Sequence, residues 1–472
     1  MNTFRMVVGA GLGLLLMLLG LVAPGCGGES VPHAAPKQPG AERVRGTRVS
    51  LVRPKGFEVA SSFAGFMDAE TKSTLTVMEV EGPYAKVAQG FNEQQVLAVK
   101  RMTITDREPY HHGSYPGLLF QLTQETADAN LRKWVWVFGS ETRSVIIMGL
   151  CSVDMIPRDF AKLGDSVRSA SWEPDMALDP ATELDFYLTD VAGMKPLTVM
   201  SSALSYNSDG TVDEDGAAGK PLFIVVPAIR PTPSAPEKYA PRRMRLTAGH
   251  KKVKAGELTP ITVDGLSGYE CIGTSIHRKS DEPSFIYQVM LFEGTSYWNL
   301  TGIAREKDRE QYLPAFKRMA RSFQRKFEIR TSLDGKASIE VPSSWSMRAG
   351  LNEAADIQAG QAIAESYVIV LSEAKTDAPD GITLSQYAED CRAQFSGDSM
   401  SQEALVPLEI NGLKGSHIAY EMGDEQLPLT YVHATVEGAD HFHQIILWCI
   451  KKDEAHALPG MNRVLHSFRE VQ

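Results

Sequence analysis

Three times along the chain an aromatic or β-branched run stops at a short polar turn, resumes, and leads into an amphipathic stretch. The first is Trp134-Val135-Trp136-Val137-Phe138, a turn at Gly139-Ser140-Glu141-Thr142, then Ser144-Val145-Ile146-Ile147-Met148 and a last helix ending near Trp172. The second runs from Phe285 to Phe292, turns at Glu293-Gly294-Thr295, resumes at Tyr297-Trp298-Asn299-Leu300 and closes on Arg321-Ser322-Phe323. The third runs from Thr430 to Val436, turns at Glu437-Gly438-Ala439-Asp440, resumes from Phe442 to Leu447 and closes on His466-Ser467-Phe468. Such runs on either side of a glycine turn predict β-hairpins. A glycine precedes each block, and Gly117 to Trp172, Gly268 to Phe323 and Gly415 to Phe468 are 55, 55 and 53 residues. That even spacing predicts three copies of one unit. Gly268 and Gly415 are expected to make equivalent turns, where glycine tolerates positive φ.

The front halves repeat less closely. Pro54-Lys55-Gly56-Phe57 and Pro342-Ser343-Ser344-Trp345 share a Pro-x-x-aromatic step after an apolar strand, and Thr74–Met78 and Tyr367–Leu371 are predicted strands. Thr383-Leu384-Ser385-Gln386 is a capping box, with Leu384, Tyr387, Ala388, Cys391 and Phe395 on one helix face. Asn92-Glu93-Gln94-Gln95 opens the matching helix of the first unit. The second unit lacks the proline step and carries a polar insertion from about Tyr206 to Lys220. The closing strands are apolar on both parities: Ile445, Leu447 and Cys449, but also Ile446, Trp448 and Ile450. A sheet apolar on both sides is covered on both sides. The predicted class is therefore α+β, as three tandem α/β/α sandwich modules at 46–174, 175–327 and 328–472. Each is a mainly antiparallel sheet with helices on both faces. The third contains every element of the repeat and is expected to fold alone.

The element order, the Pro-x-x-aromatic start, the mid-unit glycine and the closing Ser-Phe helix resemble the PsbP/DcrB-like family, which also includes the Ran-binding Mog proteins. The third unit is most similar, then the first, then the second. The resemblance implies an α/β/α sandwich and extracytoplasmic accessory or binding proteins. It brings no shared catalytic residues.

The N-terminus carries an address. Arg5 precedes an uncharged stretch from Met6 to Ala23 rich in leucine, and Ala23-Pro24-Gly25-Cys26 follows. This pattern predicts a signal peptide over 1–26. The small residues before Cys26 resemble a bacterial lipoprotein site, at which the thiol takes a diacylglyceryl group. An uncleaved transmembrane anchor is the alternative, because about 18 apolar residues just span a bilayer. Residues 27–45 are rich in Gly, Pro, Ala and Ser, a composition that predicts a flexible tether.

Composition narrows the function classes. The 472 residues are 43% hydrophobic and 22% charged, which excludes wholesale disorder and a polytopic membrane protein. A net charge of −10 argues against a nucleic-acid surface. Gly-x-Ser-x-Gly, His-Glu-x-x-His, Cys-x-x-Cys and P-loop patterns are absent; Gly216-Ala217-Ala218-Gly219-Lys220 is followed by Pro221 where a P-loop needs Ser or Thr. No cofactor is expected. Of five cysteines, Cys151 and Cys449 occupy equivalent strand positions, Cys391 a helix face and Cys271 a strand, so buried thiols are expected rather than disulfides.

Three groups are candidate sites. His441 and His443 would project from one face of a strand as a possible metal pair. His433 is placed on the opposite face if the turn pairs Val436 with His441. His111-His112 reads as a loop pair. Asp209, Asp213, Glu214 and Asp215 with Gly210 and Gly216 could hold calcium, but the twelfth position is Lys220 or Ile224 rather than glutamate. Lys238, Arg242, Arg243, Arg245, Lys251, Lys252 and Lys254 form a basic run that could meet anionic headgroups or polyanionic envelope polymers. Ordinary readings compete: hydrogen-bonded strand histidines, a solvated insertion and a solvated charged face.

The expected protein is a non-catalytic, lipid-anchored envelope component, held to a membrane through Cys26 and contacting an envelope protein or polymer. The competing expectations are a metal-dependent protein or enzyme using the third unit's histidines, and a small-molecule carrier with a cleft between modules.

Overall fold

The computed structural model describes residues 36–471, apart from 61–62, 92–101, 126–129, 201, 212–219, 229–231, 233–234, 347–349, 396–403 and 425–426. Cys26, Asp213, Asp215 and the helix start expected at Asn92 lie outside the described residues.

Among the described residues, three large antiparallel sheets succeed one another along the chain. The first has seven strands, in spatial order Glu58–Val59, Gly65–Met67, Thr74–Glu81, Arg143–Ser152, Asn130–Gly139, Gly117–Glu125 and Met102–Pro109. The second has eight: Lys195–Met200, Ala203–Asn207, Leu222–Pro227, Ser296–Arg305, Pro283–Glu293, Leu266–His277 and His250–Lys254, with Leu258–Val263 also paired to Leu266–His277. The third has six: Ile357–Gln361, Ser366–Ala374, His441–Ile450, Leu427–Glu437, Leu413–Asp424 and Val406–Ile410.

The connectivity is the same in all three. A front hairpin builds one half, a helix crosses, and later strands meander back until the last meets the front half. Those meetings pair Val77 with Ile147, Ile224 with Thr301 and Val368 with Leu447. The second unit, least like the others in sequence, thus keeps the same strand order. Its insertion lies between two strands of the front half, close to where the sequence placed it. Tyr206 pairs with Phe223 and Asn207 with Leu222 at the end of the front hairpin.

The crossing helices are α1 (Tyr84–Gln89), α3 (Pro236–Arg245) and α5 (Leu384–Phe395); the closing helices are α2 (Ala161–Arg168), α4 (Arg309–Arg321) and α6 (Glu454–His466). Each pair covers opposite faces of one sheet. Leu163 and Val167 of α2 pack with Trp136, Val145 and Ile147, whereas Val87 of α1 meets the other parity, Val135, Val137 and Ile146. Phe316 and Met319 of α4 pack with Phe285 and Tyr287, while Tyr239 and Ala240 of α3 meet Met290 and Phe292. Met461 and Val464 of α6 pack with Leu447 and Cys449, while Tyr387 and Cys391 of α5 meet Phe442. The architecture is α+β with helices on both sides of antiparallel sheets, as the double apolar parity predicts. The capping box forms: the Thr383 N–H donates to Gln386 Oε1 at 3.0 Å and the Gln386 N–H to Thr383 Oγ1 at 3.3 Å. The proline steps also coincide. The N–H of Phe57 donates to Pro54 O and that of Trp345 to Pro342 O, and both aromatics are buried.

The repeated glycines do something other than turn. Gly268 and Gly415 sit inside strands, and the positive-φ glycines are Gly265 and Gly412, three residues earlier in each case. A Cβ on Gly268 would lie 2.0 Å from Met290 O, and one on Gly415 would lie 2.4 Å from Thr435 O. Gly117 has the same constraint against Tyr110 O, at 2.2 Å. Glycine is required because a neighbouring backbone passes where a side chain would begin.

Each unit is laced shut by a small ladder joining its first part to its last. Val49 and Ser50 pair with Trp172 and Ser171; Phe186–Leu188 pairs with Phe323–Arg325; Ala337 and Ser338 pair with Glu470 and Arg469. A serine after each closing helix reinforces the join. The Val52 N–H donates to Ser169 Oγ, Ser322 Oγ donates to Asp190 O, and the Glu340 N–H donates to Ser467 Oγ, all at 2.8 Å.

The second and third sheets also contact each other. The Gly294–Thr295 turn lies on the third unit's front hairpin, where the Thr295 hydroxyl donates to Ile363 O and a Cβ on Gly294 would lie 2.2 Å from Ala364 O. Beneath it, buried Arg325 donates to Asp264 at 2.8 Å and to Glu293 at 2.9 Å, and Arg463 of α6 reaches the same Asp264. Asp185 accepts from Arg45 at 2.7 Å and from Ser343 at 3.0 Å; Arg45 follows the strand Ala41–Arg43, which pairs with Ser50–Val52, so the last residues of the expected tether are part of the first unit.

Candidate functional site

The histidine pair is geometrically as expected, and His443 is chemically occupied. His441 and His443 share a face, their ring centroids 5.9 Å apart. The turn pairs Val436 with His443 rather than with His441; this shift of two leaves His433 on the opposite face, paired with Ile446. Both ring nitrogens of buried His443 are taken: Nδ1 lies 2.9 Å from Ser372 Oγ and Nε2 lies 3.3 Å from Glu470 Oε1. Burial pushes His443 down, and the Glu470 hydrogen bond opposes it. His433 bonds Gln444 at 3.1 Å, and burial pushes it down to about 4. Among the described residues no three His, Cys, Asp or Glu side chains gather as a metal set.

The acidic loop is described only at its start. Asp209 pairs with Lys220 at 2.8 Å, and that contact holds its carboxyl down to about 2. His112 lies in the connection between Met102–Pro109 and Gly117–Glu125, as the sequence implied, but its side chain is buried. It packs against Trp136, Phe138 and Tyr115, and its Nε2 accepts the Trp172 N–H. Cys151, Cys271, Cys391 and Cys449 are free and buried. Burial pushes the Cys151 and Cys449 thiols up to about 12 and Cys391 to about 11, so these are not activated nucleophiles.

The helical part of the basic run covers one face of the second sheet, whereas Lys254, paired with Thr274 and so on the side of Phe285 and Phe316, belongs to the other. Ala240 and Met244 of α3 face the sheet, with Met244 packed beside Val253. At 3.6 residues per turn, Lys238, Arg242, Arg245 and Leu246 fall on one outward arc of about 100°. The strand His250–Lys254 lies alongside, with Lys252 and Lys254 exposed on either side of Val253. Lys251 is neutralised by Asp281 at 2.5 Å. Arg242, Arg243, Arg245, Lys252 and Lys254 have no ion-pair partner among the described residues. Lysines on an edge strand also deter edge-to-edge pairing, but the helix arginines lie on no edge. Leu246, missed by the sequence reading, is 65% exposed at the end of this arc.

A cavity of about 370 Å³ separates the first and second sheets. Arg48, Phe63 and Glu79 line one side, and Asp179, Leu184 and Leu204 the other. Arg48 is already held by Glu79 at 3.3 Å and by Met176 O at 2.8 Å. Among the described residues, no helix is long and apolar enough to cross a membrane.

No family profile matches the chain, and no curated protein matches it in sequence. Solved structures show partial similarity. LpqN of Mycobacterium tuberculosis, described as involved in cell envelope biogenesis, is 13% identical over 29% of this chain and 82% of its own, with a TM-score of 0.23. Cyanobacterial PsbP (CyanoP) of Synechocystis sp. PCC 6803 is 12% identical over 31% of this chain and 92% of its own, with a TM-score of 0.25. A Bacteroides thetaiotaomicron protein is 12% identical over 31% of this chain and 48% of its own, with a TM-score of 0.23.

Proposed function

We propose that this chain is a lipid-anchored accessory or scaffold protein of the cell envelope. It is held to a membrane through Cys26, carries PsbP/DcrB-like modules at 46–174, 175–327 and 328–472, and acts by non-catalytic binding. The observation that carries the reading is the unpartnered cationic face of α3 and the adjacent strand on a chain of net charge −10. Local charge of that sign on an acidic protein selects an anionic partner. The occupied nitrogens of His443 and the high-pKa thiols favour binding over catalysis. A pull-down from solubilised envelope, comparing the natural chain with Arg242→Glu/Arg245→Glu, tests it: loss of captured partners in the variant is expected, and identical capture sinks it. Cys26→Ala is expected to make membrane association reversible by salt; partitioning that resists high salt after leader cleavage defeats the anchor.

The inter-sheet cavity favours a second reading, a carrier of a small amphipathic molecule. Native mass spectrometry of the purified protein tests it. A bound small molecule displaced by Leu204→Trp supports a carrier, and an empty protein with unchanged melting in the variant argues against one.

A further inference from the structure

We propose that the outward face of α3, with Lys252 beside it, rests directly on an anionic lipid surface and inserts Leu246 at the headgroup boundary. The inference rests on the envelope reading above and names what this face touches. Three observations converge. The cations are not consumed internally: Arg242, Arg245 and Lys252 are exposed without ion pairs among the described residues, while Lys251 is neutralised. They come from two elements held rigidly together by the Met244–Val253 contact, so they present a surface rather than a floppy tail. An exposed leucine stands at its margin, following Arg245 directly and followed by Thr247, Ala248 and Gly249.

That leucine separates two anionic partners. A soluble polyanion needs only the charges and would leave Leu246 in water. A lipid surface takes the cations at the phosphates and the apolar side chain just below them, the arrangement of an interfacial amphipathic helix. Arg278 is exposed on the neighbouring hairpin, and its N–H donates to Gly249 O, three residues beyond Leu246. Each cation near an anionic bilayer is worth about fivefold in partitioning, and added salt weakens it.

The test uses the chain from Gly27 onward, which lacks the anchor and contains every described residue. Flotation is measured with vesicles of phosphatidylcholine alone and of phosphatidylcholine mixed with phosphatidylglycerol. Binding to the mixed vesicles only is expected, reversed by salt. Arg242→Glu/Arg245→Glu should weaken it about tenfold or more, and Lys55→Glu, an exposed cation elsewhere, should leave it nearly unchanged. Leu246→Ser should weaken vesicle binding several-fold without changing retention on a heparin column. Unchanged melting shows that the variants are folded. Equal binding to both vesicle types, or vesicle binding indifferent to Leu246→Ser, overturns the proposal. A natural chain that captures envelope partners but binds neither vesicle defeats the lipid inference and leaves the envelope reading standing; a natural chain that does neither defeats that reading as well.

Discussion

Arg463 Nη1 lies 3.1 Å from Asp264 Oδ1 across the join of the second and third sheets, while the other oxygen of the same carboxylate receives Arg325 Nε at 2.8 Å. The two arginines differ in setting. Arg325 is buried and also bonds Glu293, whose carboxyl burial pushes up; Arg463 is half exposed and lies 3.6 Å over the Phe327 ring. Removing the shared carboxylate leaves a buried guanidinium with Glu293 as its one remaining carboxylate and its Nε unpaired, which costs about 3 kcal/mol. Removing Arg463 forfeits an exposed pair and a cation–π contact, about 1 kcal/mol. Urea midpoints for Asp264→Ala and Arg463→Ala should therefore differ severalfold in their displacement, and equal displacements would contradict this asymmetry.

The strand glycines and the turn glycines separate by substitution. Gly268→Ala and Gly415→Ala place a carbon against a carbonyl oxygen and should cost roughly 1–3 kcal/mol or more. Gly265→Ala and Gly412→Ala meet open space and incur only the left-handed backbone penalty, about 1 kcal/mol. Melting temperatures that rank the turn variants as the worse pair would refute the close-approach account.

His112 should make the protein sensitive to mild acid. Its Nε2 accepts the Trp172 N–H at 3.2 Å, so the neutral ring carries its proton on Nδ1, which is buried with no hydrogen-bond partner among the described residues. Burial pushes the group down to about 4, against about 6.5 in an unfolded chain. Above about pH 6.5 neither state is protonated and the stability is complete. As the pH falls towards about 4 the unfolded chain binds a proton that the folded ring refuses, and roughly 1–3 kcal/mol is lost. His250 and His433, also pushed to about 4 by burial, add to the slope. Denaturation across that window should show stability falling with acid, and less steeply in His112→Phe; identical slopes would remove His112 from the account.

The third unit should fold as residues 328–472, because its own ladder joins Ala337 to Glu470 and both sheet faces have their helices. It should melt lower than in the full chain, since Ile363 and Ala364 lose the Thr295 turn that covers them. A single cooperative transition is expected by calorimetry. A fragment that stays unfolded places the boundary near Lys326–Arg330 wrongly.

The hairpins, the capped helix and the two-sided cover were legible because each is written locally, in aromatic runs, a four-residue cap and double parity. Gly65–Met67 and Ile357–Gln361 were not, being too short for a periodicity of their own. The role of Gly268 depends on Met290, which no local pattern announces. Arg325, Asp264 and Glu293 each sit at a polar strand end that reads as solvent, and only the tertiary fold buries them together. The basic run was visible because it is contiguous; the exposure of Leu246 was not, because a lone leucine after a helix usually caps a core.

The short ladders at the base of each sheet set how tension would travel. A chain tethered at its N-terminus and pulled from beyond Trp172 would be loaded at Val49 and Ser50, which are bonded straight to Trp172 and Ser171. The force would pass across those two pairs and bypass the seven strands above. The same short circuit recurs at Phe186–Leu188 with Phe323–Arg325 and at Ala337–Ser338 with Arg469–Glu470. Each sheet thus hangs beside the line of pull, mechanically quiet until its own small clasp gives way.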